Sequence, residues 1–407
     1  MRLLVLGTGL AAVVLTAAAA ASTPPRPAAD NSADAADSIA LGRTGKSNDP
    51  WKFSGLATID ILANARGGAG RGVRLLDKLA LAAAYDSGGR WVGLLSAQYT
   101  NGTPFSGSLV GDTQTVSNIE AIGSVRIYEA WLSRRVGAGG IKLGLIDLNS
   151  EFDVQEAAGL FLNSSDGIAA EFSHTGRNGP SIFPTTALAI TGFAVPASGW
   201  TLRLGVFDGV PGDPAHPRRF VVKLGAGDGA LVVGQVTRRF ANGLRFEAGA
   251  WRYTAAFNAL DNVDAAGNQA RLRASKGGYG LVEAVLIPAI DGGPSLTGWV
   301  RGGVADARVN RIAAYLGGGL VIASPFAGRD GDSTGLSVMH AGFGGAARRA
   351  EPGLHNGETT IEATYRIVLP WGLAVQPDIQ YVVHPGGTPG VRDALVAGVR
   401  LTLAVSH

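Results

Sequence analysis

The stretch that decides the fold is ETTIEATYRIVL, residues 358–369. Its polar side chains occupy the even positions from Glu358 to Arg366, and apolar side chains such as Ile361 and Ile367 occupy the odd ones. Successive side chains of an extended strand point to opposite faces, so the pattern predicts a strand with one polar and one apolar face. The same alternation follows at 373–381 and 395–405, which predicts three consecutive antiparallel strands.

The alternation extends upstream to Trp51. It recurs at 52–61, 90–99, 219–224 and 244–250, and short joints rich in Gly, Asp and Asn between many segments predict hairpins. Longer polar connections are expected near 101–121, 149–166, 255–275 and 323–334. The pattern predicts about sixteen to eighteen strands in this region.

The predicted strands are long, about nine to twelve residues, which is the length that crosses a bilayer at a tilt. We therefore expect an all-β fold: a transmembrane antiparallel β-barrel over residues 51–407, with sixteen strands favoured and eighteen as the alternative. A secreted all-β domain such as a solenoid or propeller would also have alternating polar and apolar residues, but we find no fixed-period repeat to favour it.

The N terminus predicts export from the cytoplasm. An apolar run at 3–15 is followed by an alanine tract at 17–21, which predicts a cleaved signal peptide over residues 1–21; an uncleaved anchor is the alternative. Residues 22–50, rich in Pro, Asp, Ser and Ala, are expected to form a flexible segment before the barrel.

Composition excludes several classes of protein. The 407 residues are 46% hydrophobic and only 16% charged, with 60 glycines, no cysteine and a formal net charge of +3. Zero cysteine rules out disulfides, thiolate zinc sites and cysteine nucleophiles. The small basic surplus gives no reason to expect nucleic acid binding. The six histidines lack metal-ligand spacing, so neither a metal nor a cofactor is expected, and we predict that the protein is not an enzyme.

A barrel of sixteen strands leaves an aqueous lumen, so the strand count predicts a channel. We expect the connection at 147–166 to fold inward as a constriction loop. Its two phenylalanines, Phe152 and Phe161, either narrow the bore or only attach the loop to the barrel, and the sequence leaves both open.

Lumen-facing side chains of both signs disfavour strong ion selectivity and suit neutral sugars, whose hydroxyls pair with planar polar groups. Trp131 and Trp251 share the polar face and are candidate stacking surfaces. Arg126 and Glu129 fall on opposite faces, which indicates a bulge or a misread register. The predicted substrate-binding or pore-lining residues are Arg126, Glu129, Trp131, Asp147, Asn149, Glu151, Phe152, Asn163, Arg245, Glu247, Trp251, Glu362, Arg366, Gln376, Asp378, Gln380 and Arg400.

Two blocks of sequence carry a family resemblance. The central block comprises 126–132 (RIYEAWL), 143–152 (LGLIDLNSEF) and 161–165 (FLNSS). The C-terminal block comprises Glu362, Tyr365, 373–381 (LAVQPDIQY), 384–386 (HPG) and 398–401 (GVRL), of which QPDIQY and the following Pro-Gly turn are the most specific. The chain resembles the OprB-type carbohydrate-selective porin family in these residues.

The resemblance implies a sixteen-stranded outer-membrane barrel for passive diffusion of glucose and other sugars or polyols. Expected partners are small neutral carbohydrates, outer-membrane lipid and the barrel-assembly machinery, with a monomer or a homotrimer as the oligomeric state. A general porin and a non-conducting binding or structural barrel are the alternative functions. The chain ends in Val405-Ser406-His407 and lacks the terminal aromatic residue common in such barrels, which bears on membrane insertion more than on the fold.

Overall fold

The computed structural model describes residues 49–263 and 269–406. The predicted signal peptide and nearly all of the segment 22–50 lie outside these residues. The strands, in chain order, are β1 (Trp51–Gly68), β2 (Gly72–Asp86), β3 (Trp91–Thr100), β4 (Ser124–Val136), β5 (Gly139–Ile146), β6 (Ala187–Ala194), β7 (Trp200–Asp208), β8 (Ala230–Arg239), β9 (Arg245–Tyr253), β10 (Ala256–Val263), β11 (Gln269–Arg273), β12 (Lys276–Ile287), β13 (Ser295–Ala305), β14 (Ile312–Ala323), β15 (Ser333–Phe343), β16 (Gly357–Val368), β17 (Leu373–Val383) and β18 (Arg392–Ser406).

Sixteen of these strands close into one antiparallel barrel, which confirms the favoured prediction. Each strand pairs with its chain neighbours, β9 pairs with β12, and β18 closes the barrel on β1. Closure uses the last described residues, because Ser406 lies opposite Ser54 and Val405 opposite Gly55. The sheet therefore closes through residues at the end of β18 that are not aromatic.

Helical segments are short and lie in the connections. Among the described residues, no helix is both long enough and apolar enough to cross a membrane. The helical segments are Ser106–Val110, Leu148–Ser150, Ala157–Leu160, Ser164–Gly167, Ala170–Ser173, Gly345–Ala350, Pro370–Gly372 and Pro385–Gly387.

The alternation read from sequence separates the two faces of the barrel. In β17, Gln376, Asp378 and Gln380 are buried inside, whereas Ile379 and Tyr381 are exposed on the outside. An apolar outer band facing lipid and a polar interior are the arrangement of outer-membrane barrels. The low charge of the chain is thus compatible with a polar interior, since half of each strand faces lipid.

One local prediction from the sequence is wrong. Residues 219–224 alternate but lie in the connection between β7 and β8, because Trp200–Asp208 pairs directly with Ala230–Arg239 and leaves no edge for another strand. The connection expected near 255–275 does join β9 to β12, and it contains the β10–β11 hairpin, which lies outside the barrel sheet.

The register around Arg126 and Glu129 contains the bulge that the sequence indicated. Ser96 lies opposite Glu129, but Ala97 lies opposite Ile127, so one residue of β4 is unpaired between them. An extra residue in one strand reverses the face of the sheet to which the following side chains point. Arg126 and Glu129 are consequently both buried on the inner side.

The longest connections lie at one end of the barrel, opposite a rim of short turns. Turns of a few residues join β2 to β3, β4 to β5, β6 to β7 and β8 to β9, whereas the connections after β3, β5, β7 and β9 are long. Short turns face the periplasm in such barrels. The exposed aromatic residues Trp51, Trp91, Trp200, Phe240 and Trp371 lie at the short-turn end, as expected for the belt at a membrane interface.

Two of the long connections fold into the barrel. We call residues 101–123 the first inner loop and residues 147–186 the second inner loop. Phe105 and Val116 of the first and Phe152 and Phe172 of the second are fully buried. The apolar clusters of the protein therefore lie between these loops and the inner wall, and they position the interior polar groups.

Candidate functional site

An ion-pair network holds the second inner loop to β13. Arg301 Nη2 lies 2.7 Å from Asp153 Oδ2, Arg301 Nε donates to Asp153 Oδ1 at 3.0 Å, and Nη1 donates to Glu171. All three side chains are completely buried. Burial raises the pKa of Asp153 and of Glu171 above their ordinary values, although the guanidinium opposes the rise. Since a buried charge needs its partner, this network fixes the loop in position.

The β16–β17 wall holds the same loop through its backbone. Glu362 accepts hydrogen bonds from the backbone N–H groups of Leu162 (2.6 Å) and Asn163 (3.0 Å). The side chain of Asn163 donates to Gln380 at 3.2 Å, and Gln376 donates to the Leu160 carbonyl at 2.7 Å. Gln380 also donates to Asp378 and to the Val116 carbonyl of the first inner loop. These lumen-facing groups therefore bind protein backbone.

A third anchor lies on β9. Arg245 is buried and donates to Glu247 (3.3 Å), to Glu283 of β12 (3.2 Å) and to the Val154 carbonyl of the second inner loop (2.8 Å). Arg239 pairs with Glu156 of the same loop. The basic side chains of this wall are thus engaged by the loop and by neighbouring acids.

The first inner loop is attached near the barrel seam. Glu358 accepts the backbone N–H groups of Thr113 (2.7 Å) and Gln114 (2.9 Å). Arg400 of β18 forms a bidentate pair with Asp60 of β1, at 2.7 and 2.8 Å, and also donates to Asn118 at 2.8 Å. Bidentate Arg–carboxylate pairs are strong and directional, so the loop is held at a defined place beside β1 and β18.

The aromatic residues singled out from sequence contact protein side chains. Trp251 stacks on Phe172 of the second inner loop, with ring centroids 5.0 Å apart and parallel planes. Trp131 donates to Glu129 at 3.1 Å and has the Lys142 ammonium 4.0 Å from its ring centroid. Phe152 packs on Phe207. The Trp251 and Phe152 contacts attach the loop to the barrel wall, as does the packing of Phe161 on Trp299, whereas the Trp131 contacts lie within the wall.

A cavity of about 260 Å³ remains between the two inner loops and the wall built by β1, β2, β4 and β18. Its lining contains both charge signs, several amides and two aromatic rings. The lining residues are Thr58, Lys78, Gln114, Thr115, Asn118, Ile119, Glu120, Tyr128, Asp147, Asn149, Val154, Gln155, Ser164, Gly167, Ile168, Ser173, His174, Ile182, Phe183 and Arg400.

The geometry of the cavity is defined around Asp147. Its carboxylate accepts hydrogen bonds from the Tyr128 hydroxyl and from the Asn149 backbone N–H at 2.9 Å. Tyr128 meets Phe183 edge to face, with centroids 6.4 Å apart, and the Lys78 ammonium lies 5.0 Å from the Phe183 ring centroid. One wall of the cavity therefore combines an acid, a cation and two aromatic rings.

His174 adds a titratable group to the cavity. The ring is open to the cavity but lies deep among protein atoms, and this burial lowers its pKa from the ordinary 6.5; the Arg311 guanidinium lowers it further. A lowered histidine pKa favours the neutral ring. At neutral pH the cavity cations are therefore Lys78 and Arg400.

Some of the residues predicted from sequence line the cavity, and the others contact the loops or the wall. Asp147, Asn149 and Arg400 line the cavity. Arg126 donates to Thr185 and to the Pro217 carbonyl, Glu151 pairs with Lys142, and Arg366 is half-buried near the short-turn end of β16. The remaining predicted residues make the loop and wall contacts described above: Glu129, Trp131, Phe152, Asn163, Arg245, Glu247, Trp251, Glu362, Gln376, Asp378 and Gln380.

Sequence reasoning missed most of the cavity lining. Lys78 is a buried basic residue on the inner face of β2, and strict alternation along 72–86 would have found it. Tyr128 was missed because it lies at the bulge, where the parity changes. Gln114, Asn118 and Phe183 lie in loops, where no periodicity marks the side that faces the lumen.

A closed sixteen-stranded barrel with an apolar exterior, a polar interior and inward-folded loops defines a porin. A model of the carbohydrate-selective porin, OprB, family matches residues 95–404, and the chain belongs to that family. The expectation of an outer-membrane sugar porin is thereby confirmed, and the fold and the family are those of a channel.

Individual relatives are distant in sequence. Porin B of Pseudomonas aeruginosa is 22% identical over 342 residues, which cover 74% of this chain and 74% of that protein. A high-pH structure of Pseudomonas putida OprB aligns with a TM-score of 0.76 at 18% identity, covering 88% of this chain and 94% of that one. The outer membrane channel DcaP of Acinetobacter baumannii aligns at 0.55 and 10% identity, covering 89% and 99%. These structural likenesses support the fold.

Proposed function

We propose that the cavity beside Asp147 is the selective passage of this channel and admits one small neutral sugar or polyol at a time, with glucose as the representative substrate. The observation that carries the proposal is a mixed polar and aromatic lining around only about 260 Å³. Pockets for drug-sized ligands are typically ~300–1,000 Å³, so this smaller space suits a single sugar ring.

The lining offers both contacts that a sugar ring needs. Asp147, Asn149 and Gln114 supply acceptors and donors for neighbouring hydroxyls. Tyr128 and Phe183 supply aromatic surface, whose electron-rich face attracts the slightly positive C–H groups of a sugar. The predicted role of Trp131 and Trp251 as stacking surfaces passes to these two residues, because Trp131 and Trp251 are engaged by Lys142 and Phe172.

The charge of the lining is balanced. Lys78 and Arg400 lie in the same cavity as Glu120 and Asp147. Strong ion selectivity in a pore needs rings of one sign, which this lining lacks among its described residues. Diffusion of neutral solutes down their gradient, without a catalytic step, is the function that this arrangement favours.

The remaining parts of the proposal concern export and insertion into the membrane. We propose that residues 1–21 direct export as a signal peptide, that residues 22–50 connect it to the barrel, and that the barrel-assembly machinery inserts the chain into outer-membrane lipid as a monomer or homotrimer. The other predicted site residues then act indirectly: side chains such as Glu362 and Arg245 shape the passage by holding the second inner loop.

The deciding experiment compares solutes of equal size in the purified full-length protein. In liposome swelling, we expect glucose and sorbitol to enter faster than amino acids of similar size, and added glucose to reduce single-channel conductance in planar bilayers. Equal swelling rates for sugars and amino acids would leave a general porin, and the absence of conductance would leave a non-conducting barrel.

A further inference from the structure

The outer surface at the short-turn end has one strongly basic sector. Residues 130–146, 187–207 and 230–246, which cover β5, β6, β8 and most of β4 and β7, contain no Asp or Glu but carry Arg134, Arg135 and Arg238 near their short turns. Arg239 of the same strand end is paired with Glu156 of the second inner loop. Elsewhere on the same rim, the turns after β12 and β14 carry Asp291, and Asp330 with Asp332. The positive charge of this rim is therefore concentrated on one side.

Two of these arginines rest on outward-facing aromatic rings. The Arg134 guanidinium lies 5.1 Å from the ring centroid of Trp91, and the Arg238 guanidinium lies 5.2 Å from that of Trp200 and 4.8 Å from that of Phe240. Among the described residues, neither guanidinium forms a salt bridge with a carboxylate. Stacking occupies the flat face of each guanidinium and leaves N–H groups at its edge available to an anion, apart from the Arg238 Nη1 group that donates to the Ser198 carbonyl.

An apolar groove lies between the two arginines. It encloses about 440 Å³ and is lined by Val136, residues 138–141 and residues 193–196. Arg134 lies opposite Ile141 in the β4–β5 register, and Arg238 donates to the Ser198 carbonyl in the β6–β7 turn. Each arginine thus borders one side of the groove.

We propose that this sector binds anionic glycerophospholipid of the periplasmic leaflet, with a phosphate at Arg134, a phosphate at Arg238 and acyl chains in the groove between them. Arginine pairs with phosphate in a bidentate manner, and tryptophan favours the interface where headgroups meet acyl chains. Four strand spacings, on the order of 19 Å, separate β4 from β8, so one phosphate cannot reach both guanidinium groups. Each side of the groove therefore holds its own lipid.

The surroundings favour an anionic headgroup over a zwitterionic one. Arg90 and Arg135 lie beside each other below the Arg134 stack, because the Arg135 backbone N–H donates to the Arg90 carbonyl at 3.1 Å. These cations repel the ammonium group of a zwitterionic lipid, and the nearby acid of the β2–β3 turn, Asp86, already accepts the Gly89 backbone N–H. The inference rests on the membrane-spanning barrel and is independent of which solute the lumen selects.

Native mass spectrometry of the full-length protein in detergent tests the site with phosphatidylglycerol, phosphatidylethanolamine and inorganic phosphate as separate probes. We expect two phosphatidylglycerol molecules on the wild type, one on Arg134→Gln or Arg238→Gln, and at least a tenfold lower occupancy on the double variant. The matched control exchanges two exposed arginines at the opposite end, Arg252→Gln and Arg392→Gln, and should keep wild-type occupancy.

Three results would overturn the proposal. They are wild-type occupancy in the double variant, equal retention of phosphatidylethanolamine, and displacement of lipid by millimolar inorganic phosphate, which would indicate a soluble anion site. Heat-modifiable migration and unchanged glucose block confirm that the variants are folded. Because the rim is remote from the cavity, a failure of sugar selectivity would leave the lipid result interpretable.

Discussion

Two sides of the barrel interior follow the same alternating pattern but differ in what their polar groups contact. On the side built by β9, β13 and β16, Arg245, Arg301 and Glu362 bind the second inner loop. On the side built by β1, β2, β4 and β18, Lys78 and Tyr128 border the cavity. Strand parity therefore identifies which side chains point inward, and the inner loops decide which of those meet a solute.

The loop-bound side and the cavity side also differ in the expected effect of removing a charged side chain. Arg301, Asp153 and Glu171 are entirely buried, so each ion depends on its partners for compensation. The cavity side borders open space that water can fill, and charges there are less dependent on one partner. Substitutions on the first side should therefore change the shape of the lumen, and substitutions on the second should change recognition.

The largest expected effect is that of Arg301→Leu. Removing one partner of a buried ion pair typically costs about 3–5 kcal/mol, because the remaining charges stay buried without compensation. We expect the second inner loop to leave the wall at Asp153 and Glu171, single-channel conductance to rise, and sugar discrimination in liposome swelling to fall. The variant should also lose its heat-modifiable band at a lower temperature.

The matched control for this variant is Arg308→Leu, an exposed arginine whose Asp306 partner lies two residues away in the chain. Surface ion pairs contribute little to stability, so its conductance and heat-modifiable migration should match the wild type. Wild-type conductance and sugar discrimination in Arg301→Leu would show that the second inner loop does not depend on this network.

The second expected effect separates the two candidate aromatic surfaces. Phe183→Leu keeps apolar volume but removes the ring that faces the cavity, whereas Trp251→Leu removes a ring already stacked on Phe172. Aromatic pairs contribute about 0.5–1.5 kcal/mol beyond their buried area, which corresponds to about a two- to twelvefold weaker glucose block in Phe183→Leu. Trp251→Leu should lower stability and leave the block constant unchanged.

Titration of single-channel conductance with glucose measures both block constants under one set of conditions. Phe240→Leu, which changes an exposed ring at the short-turn rim, serves as a control for loss of an aromatic residue outside the lumen. A weaker glucose block in Trp251→Leu with no change in Phe183→Leu would contradict this prediction. It would indicate that Trp251, and not Phe183, stacks on the sugar.

The sequence predicted the barrel because the features that define strands and hairpins involve residues close together in the chain. Alternation within each strand assigns the inner and outer faces, and short joints assign neighbouring strands, so 358–369 and its successors predicted adjacent β-strands in the correct order. Contacts across the lumen carry no such signal. Glu362 accepts from Leu162, which is 200 residues away, and no spacing in the sequence marks that pair.

The same reasoning explains the errors at 219–224 and at the cavity. Alternation indicates that a segment suits a strand, but strand formation also needs a partner edge, and β7 and β8 already pair with each other. Asp147, Asn149 and Arg400 were found because they combine polar chemistry with a family motif. Phe183 and Asn118 were missed because only the loop conformation brings them into the cavity.

The smallest expected effect concerns His174 and tests whether the cavity side responds to pH. Because its folded-state pKa is lowered from 6.5, the neutral ring stabilises the folded protein above that value, and this contribution is lost as pH falls through the lowered pKa. We expect conductance and glucose block to stay constant from about pH 8 down to 6.5, and cation conductance to fall at lower pH as a third positive charge joins Lys78 and Arg400.

His174→Gln should abolish the part of this change that belongs to the histidine. Burial also raises the pKa of Asp153 and Glu171 in the second inner loop, so the informative quantity is the wild-type conductance minus that of the variant. A difference whose midpoint lies at or above 6.5 would contradict the lowered pKa of this ring. A midpoint below 6.5 would show that deep enclosure within the barrel, more than the water in the cavity, sets the protonation of its lining.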